Sequence, residues 1–135
     1  MLIRDLNQII LSLAPAYEAR DVAPATYAEL VTAPRLIVWS GASEGTIYRD
    51  ARVNHAFRAW HDAAHIAGGF AFDLDGERAA CEYQIAQMRR ALPLVPDLFA
   101  RVIRAEVIGQ AEYFATHGAF PSNQAAFIAA YLRAQ

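Results

Sequence analysis

Apolar residues recur at helical spacing over most of the chain, and this pattern limits the fold more than any other feature of the sequence. From residue 50 onward they repeat every three or four positions, as on one face of an amphipathic helix. Turn-forming glycines and prolines divide this part into four predicted helices: about residues 50–67, 76–92, 97–117 and 122–134. Short connections between helices bring successive helices together as antiparallel neighbours. The sequence therefore predicts a mainly α fold, with a small helical bundle over residues 50–134.

The first third of the chain has a weaker and more mixed pattern. Apolar spacing predicts one helix over residues 3–13, which Pro15 ends, and a second helix near residues 24–32. Between residues 35 and 50, β-branched and aromatic residues flank the turn sequence GASEG. This arrangement predicts a short β-hairpin, or a pair of extended segments around a turn, in this part of the chain.

The size and composition of the chain restrict its class. Its 135 residues, 56% of them hydrophobic, predict a single domain over residues 1–135. The formal charge of −2 disfavours nucleic-acid binding. The single cysteine, Cys81, excludes a cysteine-rich zinc site and fits a reducing cytoplasm. The first apolar run is too short and too interrupted for a signal peptide or a membrane span, so no membrane partner is expected.

Two histidines lie one helical turn apart in the stretch NHAFRAWHDAAH, residues 54–65. On a helix, His61 and His65 point in nearly the same direction, which is the i, i+4 geometry that lets two imidazoles reach one ion. They border the apolar stripe of this helix and do not face open water. Asp62 lies further round the same helix, one turn after Arg58. It is expected to orient an imidazole, to join the coordination shell or to pair with Arg58.

The next predicted helix carries two glutamates on different faces. Glu77 shares a stripe with Cys81 and Ile85, whereas Glu82 clusters with arginines. Glu77 is therefore predicted to point into the bundle and Glu82 to point outward. The alternative for Glu77 is an ordinary acid in the first turn of a helix, where the helix dipole favours negative charge.

Glu106 and Gln110 interrupt the middle of the apolar stripe of the third predicted helix. Burial of a carboxylate without a partner costs several kcal/mol or shifts its pKa until it is neutral. A cation or the two histidines would compensate Glu106, and Gly109 would let a ligand or another helix approach closely. The alternative is a buried hydrogen-bond network that links Glu106 and Gln110 to neighbouring polar side chains.

Together, these inward-pointing side chains predict a metal site. Its expected ligands come from three helices: His61, His65, Glu77, Glu106 and Gln110. Nitrogen and oxygen donors suit a divalent ion such as zinc, manganese or iron, and the lack of thiolates argues against copper(I) and iron–sulfur clusters. A single ion is predicted, because the chain lacks the Glu-x-x-His pairs of bundle di-iron proteins.

Four ordered strings carry a family resemblance: FRAWHDAAH, GGFAFDLDGE, RAEVIGQAEYF and GAFPSNQAAF. They resemble a family of uncharacterised bacteriophage and mobile-element proteins that share R-x-x-H-D-x-x-x-H, a following Gly-Glu and a later Glu-x-x-Gly-Gln. The likeness spans roughly residues 54–128, with Ala64 where many members have glycine. The matching positions are Arg58, His61, Asp62, His65, Gly76, Glu77, Glu106, Gly109 and Gln110. The resemblance implies a shared site and a phage-like origin, hence the host cytoplasm, but no particular reaction.

Hydrolysis is the chemistry expected of such a site. A metal ion lowers the pKa of a bound water, and Asp62 or Glu106 would accept its proton during attack on a phosphoryl or acyl centre. A small phosphorylated molecule such as a nucleotide is the first substrate class expected, with Arg58 as the contact for its anion. The HD phosphohydrolases offer an analogy of chemistry only, because no histidine precedes His55 where their pattern needs one.

Two other functions are open at this point. An iron-dependent oxygenase also needs two histidines and a carboxylate. A non-enzymatic interaction protein would use the ion or the polar network only to hold its helices together. The terminal helix could pack internally or form a homodimer, and the sequence does not decide between these arrangements.

Overall fold

The computed structural model describes residues 2–135. The chain folds into helices joined by short loops, with two short strands in its first third. In chain order the elements are α1 (Leu2–Leu13), β1 (Glu18–Arg20), α2 (Tyr27–Thr32), β2 (Ile37–Trp39), α3 (Ala51–Gly68), α4 (Leu74–Ala91), α5 (Asp97–Arg104), a π-helical segment (Ala105–Gly109), α6 (Gln110–His117) and α7 (Gln124–Ala134). The predicted mainly α fold with a short pair of strands is confirmed.

The main hydrophobic core lies where α1, α3, α4 and α5 meet. Trp60, Ile85 and Ile103, from three of these helices, are almost completely buried in it. Leu6 and Ile10, which lie one turn apart on α1, are fully buried in the same cluster. Burial of each large aliphatic or aromatic side chain stabilises the fold by roughly 1.5–3 kcal/mol. The helices that form this core also carry the polar residues that the sequence singled out.

The two strands run parallel, which corrects the predicted hairpin. Val38 of β2 lies opposite Ala19 of β1, and the chain after β2 forms turns instead of a second strand. The φ angles of Ala42, Gly45 and Arg49 are positive (49°, 68° and 57°), and an extended strand cannot contain such angles. The extended segment before GASEG is therefore present, but its partner comes from an earlier part of the chain.

Helices α3 and α4 begin at side-chain caps. Asp50 accepts a hydrogen bond from the backbone N–H of Arg52 (2.9 Å), and Asp73 accepts one from that of Gly76 (2.7 Å). Each cap satisfies a backbone donor that the first helical turn leaves free. Gly69, in the left-handed conformation, ends α3. Because of the Asp73 cap, α4 begins two residues before its predicted start.

The third predicted helix is continuous over residues 97–117 but changes its winding in the middle. A π-helical turn connects α5 to α6 and carries Glu106. Such turns are rare and occur frequently at functional sites. Gly109 ends this turn against α7, where an added Cβ atom would lie 3.0 Å from ring atoms of Tyr131. The glycine therefore lets α7 pack closely against the π-helical segment.

The loop between α3 and α4 is held against the first turn of α4. A Cβ atom at Gly76 would lie only 1.8 Å from the backbone carbonyl oxygen of Ala71, so only glycine permits this contact. Phe70 lies in the same loop, and Glu77 directly follows Gly76. Gly76 therefore determines how closely the end of α3 approaches the start of α4.

Gly76→Ala is expected to lower the free energy of unfolding by about 3 kcal/mol, because the added methyl group forces the loop backbone to move. Chemical denaturation followed by circular dichroism measures this loss. Gly118→Ala is the matched control: Gly118 has a φ of 72° but open space around it. Its expected cost is about 1 kcal/mol, for the left-handed conformation alone. Equal losses in the two variants would show that the contact with Ala71 is not the cause.

Candidate metal centre

Helices α3 and α4 bring three of the predicted ligands together. His61 and His65 lie one turn apart on α3, and Glu77 lies in the first turn of α4. The loop that contains Phe70 turns the chain so that the end of α3 faces the start of α4. His65 is fully buried, whereas the side chains of His61 and Glu77 are 17% and 24% exposed. The group therefore lies at the edge of the core and is accessible from one side.

Each of the three side chains directs one atom at a common point. His61 Nε2 lies 2.7 Å from Glu77 Oε2 and 3.1 Å from His65 Nε2. His65 Nε2 lies 3.2 Å from Glu77 Oε2. Metal–ligand bonds of about 2.0–2.2 Å place neighbouring ligand atoms about 3 Å apart around one ion. The triangle formed by these three atoms has the size that a shared ion requires.

Both imidazole rings are fixed by contacts on their other nitrogen. His61 Nδ1 lies 2.7 Å from the side-chain oxygen of Gln84, and His65 Nδ1 lies 2.8 Å from the carbonyl oxygen of Phe70. Because carbonyl oxygens only accept hydrogen bonds, each ring carries a proton on Nδ1 and turns Nε2 toward Glu77. Metal-binding histidines almost always have a partner of this kind on the nitrogen that does not bind the metal.

Three electron-pair donors this close together need a cation between them. Burial lowers the pKa of His61, but the hydrogen bond and negative charge of Glu77, the contact with Gln84 and the charge of Asp62 together outweigh it, so the pKa is raised above its usual value. Burial also opposes ionisation of Glu77, yet hydrogen bonds with both histidines hold its pKa at about 2. Glu77 is therefore ionised at neutral pH, and either a proton or a metal ion has to balance its charge.

The group formed by His61, His65 and Glu77 could hold a metal ion. Two imidazoles and one carboxylate suit zinc, iron or manganese. Glu106 does not belong to this group in the part of the chain that the structure describes. Three protein ligands would leave at least one position on the ion for water or a substrate.

A cavity of about 1100 Å³ adjoins the three candidate ligands, and all three contribute to its lining. Large aromatic side chains form part of its walls: Trp39, Phe57, Phe72, Phe114 and Phe120. Binding sites for small molecules are typically cavities of this order of size, mostly apolar with a few converging polar groups. A ligand in this cavity would therefore have access to an ion held by the histidines and Glu77.

Asp62 lines the cavity next to His61. Burial raises the pKa of Asp62 to about 6, although the neighbouring histidines and Arg58 partly oppose this shift. A carboxylate whose pKa is close to neutrality can both accept and release a proton near pH 7, as a general base must. The structure thus places Asp62 beside the candidate ligands, and its catalytic role stays a prediction.

Glu106 and Gln110 form a second polar pair in the wall of the same cavity. Gln110 donates a hydrogen bond from Nε2 to Glu106 Oε2 over 3.2 Å, and both residues are buried. Burial raises the pKa of Glu106 to about 7, an effect that Arg58 partly opposes. The direct partners of these two predicted ligands are therefore each other, and their binding to a metal stays a prediction.

Arg58 holds the loop that follows β2. Its Nη1 donates hydrogen bonds to the carbonyl oxygens of Trp39 (2.5 Å) and Gly41 (2.6 Å), and its Nη2 donates one to Ala42 (3.4 Å). The guanidinium also lies 5.3 Å from the centre of the Trp39 ring. Arg58 lines the cavity, but a substrate anion would have to compete with these backbone contacts for its N–H groups.

Gln84 and the carbonyl group of Phe70 are two contacts that the sequence did not single out. Gln84 lies two helical turns after Glu77 on the same face of α4, and this spacing was the available signal. The carbonyl group of Phe70 reaches His65 only because the loop has a particular backbone conformation. Side-chain patterns carry no information on such a contact.

Comparisons with protein-family models, with curated proteins and with solved structures found no match to this chain. The resemblance to a bacteriophage family therefore stays a prediction. None of the helices within residues 2–135 has both the length and the apolar character needed to cross a lipid bilayer. What the candidate metal centre does has to be inferred from its geometry.

Glu106→Gln is expected to change how stability depends on pH. The pKa of Glu106 is raised from 4.5 to about 7, so the folded state binds this proton more tightly than the unfolded chain does. The stabilisation of the folded state by this bound proton is complete below pH 4.5 and is lost as the pH rises to about 7. Above that range, the metal-free variant should be more stable than the wild type by up to about 3 kcal/mol.

Thermal unfolding in the presence of a chelator, repeated across this pH range, measures the difference. Glu112→Gln is the control, because the Glu112 side chain on α6 is 45% exposed and pairs with Arg78 at the surface. Its effect should stay within about 0.5 kcal/mol at every pH. A stability difference for Glu106→Gln that does not vary with pH would rule out burial of the carboxylate as its source.

Proposed function

We propose that this protein is a metal-dependent hydrolase. His61, His65 and Glu77 would bind one divalent ion, either zinc, manganese or iron. The observation that carries the proposal is the triangle of two imidazole nitrogens and one carboxylate oxygen, 2.7, 3.1 and 3.2 Å apart. The carbonyl partners of both Nδ1 atoms support it, because they leave each Nε2 free to bind the ion.

Each group at the centre would have a distinct role in hydrolysis. The ion would lower the pKa of a coordinated water toward neutrality. Asp62, which lines the adjoining cavity, would accept a proton from that water and return it to the leaving group. Glu106 lines the same cavity and is the alternative proton acceptor. The cavity itself gives the substrate room beside the ion.

The charges of the cavity wall bear on the choice of substrate. Within residues 2–135, Arg58 is the one lysine or arginine that lines the cavity. Five carboxylic acids line it: Glu44, Asp62, Asp73, Glu77 and Glu106. A divalent ion and Arg58 would together balance three of these five negative charges if all the acids were ionised. This balance favours an acyl centre in an uncharged substrate over a phosphate ester. The phosphorylated substrate that the sequence predicted is the alternative for the same centre.

An iron-dependent oxygenase is the second candidate function. Two histidines and one carboxylate on one side of an ion are also the ligands of non-haem iron oxygenases, and the observed triangle suits both classes. The metal that supports activity separates them. Turnover with zinc in the absence of dioxygen favours a hydrolase, whereas an absorption change on exposure of the iron form to dioxygen favours an oxygenase.

A purely structural ion is the third alternative. Structural zinc sites are almost always closed by four protein ligands. The group found here has three members and lies in the wall of a large cavity, which supports a catalytic role over a structural one.

His61→Ala is expected to lower zinc affinity by at least about 100-fold, because loss of an outer hydrogen-bond partner alone costs about 10- to 100-fold. Gln84→Met, which removes only the partner of His61 Nδ1, should fall within that smaller range. Isothermal titration and elemental analysis of protein purified without an affinity tag measure both effects. His117→Ala is the control, because His117 is exposed and its Nδ1 contacts the carbonyl oxygen of Tyr113 on its own helix. Equal zinc content in all variants would contradict the proposed metal centre, and therefore also the proposed hydrolase.

Asp62→Asn is expected to retain the metal but to lower the hydrolysis rate by about 100- to 10,000-fold, the usual contribution of a general base. The assay compares uncharged esters and amides with phosphate esters, using zinc, manganese and iron forms. Asp75→Asn serves as the control, since the Asp75 side chain is 99% exposed. Full activity of Asp62→Asn together with loss of activity in Glu106→Gln would assign the proton transfer to Glu106 instead.

A further inference from the structure

One oxygen of Glu106 has an unmet hydrogen-bonding requirement. Glu106 is 8% exposed, and its Oε1 atom finds no hydrogen-bond partner within residues 2–135. Its other oxygen accepts the hydrogen bond from Gln110. A buried polar atom that stays unpaired costs about 1–3 kcal/mol, and more where the group is charged. Glu106 lines the cavity beside the candidate metal centre, so a ligand group that reached this oxygen from the cavity would supply the missing partner.

The backbone around Glu106 is also unusual. Glu106 lies within the π-helical turn, and Gln110 is the first residue after it. A π-helical turn is rare and occurs frequently at functional sites. The hydrogen bond from Gln110 engages Oε2 and leaves Oε1 as the buried oxygen of this carboxyl group without a partner within residues 2–135.

Aromatic side chains remain exposed on the walls of the same cavity. Trp39, Phe72, Phe114 and Phe120 are between 39% and 60% exposed. The rings of Phe114 and Phe120 lie 4.8 Å apart and form one continuous surface. Large apolar groups that face a cavity and stay exposed to solvent favour a ligand with a flat apolar part.

The distribution of charge in the cavity disfavours anions. Arg58 directs its terminal nitrogens at backbone carbonyl oxygens. The five acids of the wall therefore outnumber the positive charges that oppose them, which within residues 2–135 are Arg58 and the proton or metal ion held by the histidines. An uncharged or positively charged group with N–H donors would be attracted to this wall, whereas an anion away from the ion would be repelled.

We propose that the cavity selects a planar, uncharged or cationic substrate whose N–H group donates to Glu106 Oε1 while its flat part lies against Phe114. An amidine, a guanidine or an amide has the required donors. This inference builds on the proposed hydrolase and names its substrate class. Glu106 is thereby a specificity-determining residue, and the ion and Asp62 act on the bond next to the group it holds.

Three probes of nearly equal size and shape test the selection: benzamidine, benzamide and benzoate. They share one aromatic ring and differ in charge and in N–H donors. Binding is measured by protein NMR titration at a pH above the pKa of Glu106, which is about 7, so that this carboxylate is ionised and accepts hydrogen bonds. The protein is metal-free and in chelator, so that benzoate has no ion to bind. Benzamidine is expected to bind at least about tenfold more tightly than benzoate, with benzamide between them, because a charge-assisted hydrogen bond contributes about 1.5–3 kcal/mol.

Two variants assign the effect to particular side chains. Glu106→Gln should weaken benzamidine binding by about tenfold or more and remove the preference over benzoate. Phe114→Ala, at a side chain that is 46% exposed, should weaken the binding of all three probes by a similar factor of about 3 to 10. Glu112→Gln, on the same helix but paired with Arg78 at the surface, should leave all three affinities unchanged.

The inference is overturned if benzoate binds as tightly as benzamidine, if none of the probes binds at its solubility limit, or if Glu106→Gln keeps the wild-type preference. These measurements need no metal, so they stand apart from the test of the hydrolase. If the protein binds zinc but shows no preference among the probes, the proposed substrate class is wrong and the metal centre is still supported. If it shows the preference but does not bind zinc, only the proposed hydrolase is wrong.

Discussion

The convergence of His61 Nε2, His65 Nε2 and Glu77 Oε2 on one point is the interaction on which the rest of this structure depends. These three atoms carry lone pairs, and at 2.7–3.2 Å they repel one another unless a proton or a metal ion lies between them. The fold holds them there through rigid elements: helix α3 supplies the two rings, and the start of helix α4 supplies the carboxylate. Such an arrangement favours a cation, because the helices already direct all three atoms at one point.

The loop between α3 and α4 links the stability of the fold to the geometry of this centre. The contact of Gly76 with the carbonyl group of Ala71 brings the loop close to α4. In that position the carbonyl oxygen of Phe70 reaches His65 Nδ1, and Glu77 reaches both rings. One glycine thus serves the packing, the orientation of a ring and the position of the carboxylate. This accounts in physical terms for a Gly-Glu pair at this place in the chain.

Helical periodicity was enough to predict the helices of the bundle and to separate Glu77, which joins the two histidines, from Glu82, which pairs with Arg104 at the surface. It could not predict the parallel pairing of the strands, because the partner of Val38 lies 19 residues earlier in the chain and local patterns do not encode it. The inward position of Glu106 was predicted and the residue is buried, but its separation from the group formed by His61, His65 and Glu77 was not predicted. Its π-helical turn changes the direction of side chains on the wheel, and no residue type marks that change.

Like the three converging atoms of the metal centre, some polar groups in the core lack a partner within the described residues. Glu106 Oε1, Gln84 Nε2 and the hydroxyl group of Tyr48 are buried without a hydrogen-bond partner within residues 2–135. Burial, and to a lesser degree the charge of Glu106, raises the pKa of Tyr48 well above its usual value. Each such group lowers stability, and an apolar residue of similar shape would avoid that cost. Gln84 orients the His61 ring and Glu106 lines the cavity, so both lie next to the place that a ligand or an ion would occupy.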